Sequence, residues 1–170
     1  MIEKYFSDLT ETLDKMREKD IQKAATLINS CKGNIFVFGN GGSAATASHF
    51  AQDMNKMLYH RFICLNDNIP SLTAYANDVN YESVFKLQLL RLIKPDDMVI
   101  GISCSGNSRN VASAVLYAKQ LGYLTIGFTG FDGGYVKELA DHNVHVPSDD
   151  MQICEDCHMI IIHAIVKLLE

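Results

Sequence analysis

The chain lacks a positive balance of charge. Its 170 residues carry 15 Lys and Arg against 20 Asp and Glu, a formal net charge of −5. No basic footprint therefore argues for nucleic acid or an anionic membrane surface as a partner. An anionic substrate has to be captured locally, by backbone amides and hydroxyls. An export signal is also missing. The first residues, Met1-Ile2-Glu3-Lys4-Tyr5-Phe6-Ser7-Asp8, are acidic and lead into no apolar core segment, so a cytoplasmic location is expected. The longest apolar run, Met159 to Val166, is interrupted by His163 and is too short to cross a bilayer. A disulfide framework is not expected either. The cysteines are odd in number (Cys31, Cys64, Cys104, Cys154 and Cys157), which fits reduced thiols in a cytosol. There is no linker, low-complexity tract or internal repeat, so the length reads as a single domain, 1–170, able to bury its own core.

What is present is an alternation of short apolar runs with helical patterns. Residues 1–30 form a helical extension, with apolar positions at Ile2, Phe6, Leu9, Leu13 and Met16 and then Ile21, Ala24, Ala25 and Ile28; Gly33 stops it. Buried strands are predicted at 35–38, 61–65, 98–103, 124–128 and 143–146. Helices are predicted after the first loop, around 70–76 and 80–93, at 108–121, at 135–140 and from 151 to 170. Five strands alternating with helices give an α/β fold: a five-stranded parallel sheet with helices on both faces, a three-layer sandwich of flavodoxin type. Ligands of such sheets bind beyond the carboxyl ends of the strands, which directs attention to loops 39–43, 66–67, 103–108 and 129–134.

Ser103-Cys104-Ser105-Gly106-Asn107-Ser108 lies between a predicted strand and a predicted helix N-terminus. Free N–H groups and the positive end of the helix dipole favour an anion there. Capping a helix needs one hydroxyl, and this loop has three. A phosphate monoester is the expected ligand, with Gly106 allowing close backbone approach. Gly39-Asn40-Gly41-Gly42-Ser43-Ala44 also fits the G-x-G-x-x-A dinucleotide pattern, with Asp67 as a ribose-binding acid at a rather long spacing. The competing use is a glycine-lined wall beside a sugar, with Asn40 and Ser43 as hydrogen-bond donors. Cys154-Glu155-Asp156-Cys157-His158 matches the haem-attachment pattern C-x-x-C-H, but inside a helix the two thiols read as small core-facing residues.

His49 and Asp53 are four apart on one helix and share a face. Glu155 and His163 are eight apart on the last helix, within about 80° of each other. Two helices each offering a carboxylate and an imidazole make a plausible N/O metal site.

Gly39-Asn40-Gly41-Gly42-Ser43 with His49-Phe50-Ala51, then Asn77-Asp78, then the 101–108 segment, then Gly127-Phe128-Thr129-Gly130-Phe131-Asp132-Gly133-Gly134, together resemble the phosphoheptose isomerases, a family with the SIS (sugar isomerase) fold. The resemblance implies conversion of sedoheptulose 7-phosphate to D-glycero-D-manno-heptose 7-phosphate. It also implies a homotetramer with active sites between subunits, and a bound zinc held by His49, Asp53, Glu155 and His163. It assigns the substrate to Asn40, Gly41, Gly42, Ser43, Asn77, Asp78, Ser103, Cys104, Ser105, Asn107, Ser108 and Glu155, and catalysis to Asp53 and His163, with Glu155 as alternative base. Two carboxylates depart from the family's pattern: Asp53 stands for a glutamate and Glu155 for a glutamine. The family's arginine shortly after the first carboxylate is replaced by Met57, and nearby Lys56 has no bidentate fork. A non-catalytic SIS module that binds a sugar phosphate or a protein partner is the alternative reading.

Overall fold

The computed structural model describes residues 1–58 and 60–170. Five strands form one parallel sheet in the order β2-β1-β3-β4-β5. Their ranges are β1 Ile35–Gly39, β2 Phe62–Cys64, β3 Met98–Ser103, β4 Leu124–Thr129 and β5 His142–His145. Every residue of β1 and β3 is buried, which is why these strands are uninterrupted apolar runs rather than alternating ones. The register pairs Ile35 with Met98 and Met98 with Leu124, continuing to Ser103 opposite Thr129.

The helices are α1 Ile2–Lys15, α2 Glu18–Ser30, α3 Gly42–Met57, α4 Ile69–Asp78, α5 Val84–Leu92, α6 Arg109–Gln120, α7 Gly134–Leu139 and α8 Met151–Leu169. Two hydrophobic layers result. One side of the sheet, through Val37, Ile100 and Phe128, packs on Ala24 and Ile28 of α2, Phe50 and Met54 of α3, and Ile161 and Ile165 of α8. The other, through Phe36, Phe38 and Val99, packs on Phe85 and Leu89 of α5, Val111 and Val115 of α6 and Val136 of α7. Phe38 stacks on Phe85 with ring centroids 4.8 Å apart.

The N-terminal thirty residues are two helices, not one. Met16 and Arg17 are extended between α1 and α2. The apolar stripe explains the break. From Met16 to Ile21 is five residues, which at 100° per residue leaves the two stripes about 140° out of phase; a straight helix could press only one of them on the core. The bend also changes the status of this segment: Ala24 and Ile28 are fully buried, so α2 belongs to the core layer. α1 stands further out, touching the core through Tyr5, Leu9, Leu13 and Met16. Its Tyr5 hydroxyl donates to the Asp156 carboxylate of α8 at 2.7 Å. The segment between β2 and β3 holds α4, a 3-10 turn at Tyr81–Ser83 and α5. Asn68 caps α4 by accepting from Ser71 N, and Asn80 accepts from Ser83 N to set the turn.

The amino ends of β1 and β3 are tied by one carboxylate. Buried Asp97 accepts from the backbone N–H of Asn34 at 2.6 Å and of Lys94 at 2.7 Å. Asp97→Ala strands both donors, and each hydrogen bond to a charged group is worth about 1.5–3 kcal/mol. The variant is expected to lose roughly 2–4 kcal/mol of stability. A urea midpoint indistinguishable from the parent would remove Asp97 from this role.

Candidate functional site

At the carboxyl ends of β1 and β3 a pocket of about 220 Å³ is lined by Asn40, Gly41, Ser43, Ser103, Cys104, Ser105, Ser108, Met151 and Glu155. A larger concavity of about 550 Å³ lies at the opposite ends of the strands, around Cys31, Asp96 and Tyr123. Parallel sheets bind ligands at the carboxyl ends, and Asp97 in the larger hollow is already spent on backbone donors, so the smaller pocket is the candidate.

Its floor is the loop between β3 and α6. Ser103 is buried and its hydroxyl donates to Ser108 Oγ at 3.1 Å. Ser105 Oγ accepts from the Asn107 backbone N–H at 3.2 Å. The loop's shape rests on the next one. Gly130 N donates to Cys104 O at 2.7 Å, and Val136 N donates to Gly106 O at 3.0 Å. Gly106 has φ 67, and a Cβ there would overlap the Gly133 carbonyl. Its glycine therefore serves the seating of loop 130–134 against the serine loop, a different reason from the anion approach expected of it.

The wall from the β1–α3 turn is also fixed internally. Asn66 brackets Gly39, accepting from its N–H at 3.1 Å and donating to its carbonyl at 2.9 Å. Asn40 and Asn110 exchange amide hydrogen bonds at 2.8 and 3.0 Å, and the Tyr81 hydroxyl donates to Asn40 Oδ1 at 2.9 Å. Asn40 thus lines the pocket with most of its amide committed to Asn110 and Tyr81. Asn66, Asn110 and Tyr81 had no motif to mark them. Asp67, the candidate ribose acid, is exposed, and Asn66 occupies the end of β2 as a clamp on the glycine turn.

Glu155 comes in from α8. Its carboxylate lies where a side chain on Gly42 would be. Asn77 and Asp78 end α4, are exposed and hydrogen-bond each other. Asn107 is exposed beside Gly134. These three are not among the residues lining the pocket. Met151 is, and sequence reasoning missed it.

Further along the seam between α3 and α8 a second group assembles. His49 Nε2 is 3.2 Å from Asp53 Oδ2, His163 Nε2 is 3.8 Å from the same oxygen, and the two Nε2 atoms are 3.1 Å apart. A tetrahedral ion bound at 2.0–2.1 Å would set its ligands about 3.3–3.4 Å apart, so the three edges fit one face of such a site. Among the described residues this group holds His49, Asp53 and His163, without Glu155. The expected four-ligand set is thus three here. The reason lies in helix geometry: eight residues of α8 rise about 12 Å, and Glu155 spends its reach at Gly42.

Beneath the pocket, Cys104 Sγ lies 3.8 Å from Ser43 Oγ and 3.9 Å from His158 Nδ1. Burial pushes the Cys104 thiol up to about 11, which keeps it protonated. Cys154, Cys157 and His158 are fully buried in α8, so the C-x-x-C-H pattern is core and offers no attachment site for haem. Burial also drives His158 down to about 4, and its Nε2 has no hydrogen-bond partner among the described residues.

A doubly wound parallel sheet whose serine-rich loop and glycine turn enclose a small polar pocket defines an SIS-domain protein, and the SIS domain model matches residues 4–130. A probable phosphoheptose isomerase of Thermoplasma acidophilum is 42% identical over 154 residues, spanning 87% of this chain and 84% of the relative. A phosphoheptose isomerase of Helicobacter pylori is 39% identical over 169 residues, 95% of this chain and 88% of the relative. The structure of phosphoheptose isomerase from Neisseria gonorrhoeae superposes with a TM-score of 0.94 at 31% identity, covering 99% and 97% of the two chains. The chain belongs to the phosphoheptose isomerase family of SIS-domain proteins.

Two outcomes are expected from this geometry. Gly106→Ala should cost roughly 2–4 kcal/mol, combining a left-handed backbone with a steric overlap. Gly122→Ala, at φ 83 with open space around it, should cost only about 1–2 kcal/mol; equal urea midpoints for the two variants would refute the seating role of Gly106. His158 has its folded pKa below its unfolded value. It therefore adds stability that is present above about 6.5 and lost as pH falls toward 4, at up to about 1.4 kcal/mol per pH unit. His158→Gln should flatten the fall of melting temperature between those pH values, and an unchanged slope would count against a neutral buried imidazole.

Proposed function

We propose that this chain interconverts sedoheptulose 7-phosphate and D-glycero-D-manno-heptose 7-phosphate, as a zinc-dependent homotetramer in the cytoplasm. The observation that carries the reading is the placement of two groups on one seam: the serine pocket at one end and the His49–Asp53–His163 cluster further along. Gly42 to His49 is seven residues of helix, about 10 Å, close to the length of an extended heptose between its phosphate and its carbonyl end. The phosphate takes the serine loop, with Ser103, Ser105 and Ser108 and the α6 N-terminus replacing its water. Cys104 stays a neutral wall, and Asn40, Gly41, Gly42 and Ser43 flank the sugar. Asn77, Asp78 and Asn107 remain proposed contacts by family resemblance and would need to be supplied by a closed or assembled form.

The reaction moves a proton from C1 of the ketose to C2, through an enediol(ate), while the two oxygens exchange a proton. It needs a base for the carbon proton and an acid/base for the oxygens. Asp53 and His163 offer a carboxylate and an imidazole 3.8 Å apart. Glu155, the carboxylate on the pocket wall itself, is the second candidate for the carbon proton. His49, Asp53 and His163 would hold the zinc, which when bound supplies an electrophile for the developing oxyanion. A His163 engaged in that way no longer carries protons; Glu155, at the phosphate end of the seam beside Gly42, would take that role only with its side chain turned along α8 toward His163.

The exposure of the cluster supports a site completed by another subunit. The His49 and His163 side chains are 43% and 52% exposed, and a reactive enediolate requires exclusion of water. The apolar edge of α1, with Ile2 and Phe6 largely exposed, is a surface for such an assembly.

Turnover of sedoheptulose 7-phosphate in deuterated water should place deuterium at C2 of the aldose. Asp53→Asn and His163→Ala should each lower kcat by roughly 10²-fold or more, and metal analysis of protein prepared without chelator should find zinc, lost in His49→Ala. If Glu155→Gln is inactive while Asp53→Asn is active, the base is Glu155. Binding of the sugar phosphate without turnover, with or without zinc, would overturn the proposal.

A further inference from the structure

A second polar pocket lies at the edge of the sheet beyond β5. It encloses about 160 Å³, and Lys15, Arg17, Asp20, Lys137 and His145 line it. It shares no lining residue with the serine pocket. We propose that it binds a phosphate-sized oxyanion, either inorganic phosphate or the phosphate group of a monoester, as a site separate from that of the substrate.

The fold gathers these side chains from the α1–α2 break and, far along the chain, from α7 and β5. The break between α1 and α2 sets Lys15 at the end of one helix and Arg17 at the cap of the next. Lys137 comes from α7 and His145 from the end of β5. In a chain of net charge −5, three cations around one concavity is a local reversal of sign. Asp20 is the one carboxylate in the lining. It meets Arg17 Nε at 3.2 Å, which leaves the two terminal guanidinium nitrogens for a ligand, the pair that grips phosphate. Lys15 Nζ pairs with Glu11 at 2.6 Å across an exposed helix face, a contact of little worth and readily exchanged. Among the described residues Lys137 Nζ has only the Asp132 carbonyl, at 3.5 Å. His145 Nδ1 faces Thr129 Oγ1 at 3.2 Å, and the other ring nitrogen has no hydrogen-bond partner among the described residues. The volume is below the roughly 300–1,000 Å³ of pockets that take whole metabolites, so the ligand is a head group rather than a sugar.

The pocket is also wired to the substrate loop. Lys137 is the residue after Val136, whose N–H donates to Gly106 O in the serine loop. An anion held by Lys137 therefore acts one residue from the hydrogen bond that shapes the substrate's phosphate site.

His145 reports on occupancy. Burial lowers its pKa first and the Lys137 charge lowers it further, while Asp132 works the other way; from α8 it faces His158, which burial holds neutral. A bound oxyanion reverses the sign of its surroundings and raises it. The test is a titration of the intact protein with inorganic phosphate, following His145 by NMR at ionic strength held constant with chloride. The expected result is a saturable rise of about half a pKa unit or more, with apparent affinity weakened roughly tenfold in the R17Q/K137Q variant and unchanged in S105A/S108A. Lys137→Gln alone is the fallback should the double variant unfold. A response equal in R17Q/K137Q and the parent, one reproduced by chloride, or one abolished in S105A/S108A would each overturn the proposal.

Discussion

Helices that return from the carboxyl ends of parallel strands on one face of a sheet must run parallel to each other. α3 and α8 do so side by side, and that packing is the constraint on which the site depends. It pairs positions along the two helices in step: Gly42 beside Glu155, then His49 and Asp53 beside His163. A sugar phosphate is a linear molecule with an anchor at one end and reacting carbons at the other. A seam carrying an anion pocket at its head and an imidazole–carboxylate cluster about two turns on is matched to that shape. The core residues that hold the seam, Phe50 and Met54 on α3 and Ile161 and Ile165 on α8, set the spacing without touching the chemistry.

The serine loop is held from the far side by the loop between β4 and α7. The hydrogen bonds of Gly130 to Cys104 and of Val136 to Gly106, with no room for a side chain at Gly106, make the two loops one unit. The glycines of 130–134 therefore shape the serine pocket although none of them lines it. The same unit carries Lys137 to the second cationic pocket, so two anion sites would share a scaffold. Such coupling follows from a short rigid element common to both, not from proximity alone.

The two carboxylate departures from the family's pattern have unequal consequences. Shortening the carboxylate at position 53 leaves it within 3.2 Å of His49, because four residues on one helix face meet with either side chain. A carboxylate at 155 puts a negative charge on the wall of a pocket whose lining contains no Lys or Arg. A phosphate bound there is neutralised only by dipoles and hydroxyls, and Glu155 opposes it.

The sequence alone determined the alternation of five buried strands with helices, because residues buried on both faces must be apolar without interruption. It also determined that the serine loop opens a helix and that His49 and Asp53 share a face, since both follow from local geometry. The same periodicity concealed the break at Met16–Arg17, where the phase of the stripe slips while each half still reads as helix. Tertiary structure alone decided that Glu155 turns to Gly42 and away from His163, that Asn40 is committed to Asn110, and that Cys154, Cys157 and His158 face the core. Each of these is settled by which surface of one element meets another, far away in the chain. Local spacing carries no information about that choice, because it fixes directions within a helix or strand but not the neighbour those directions find.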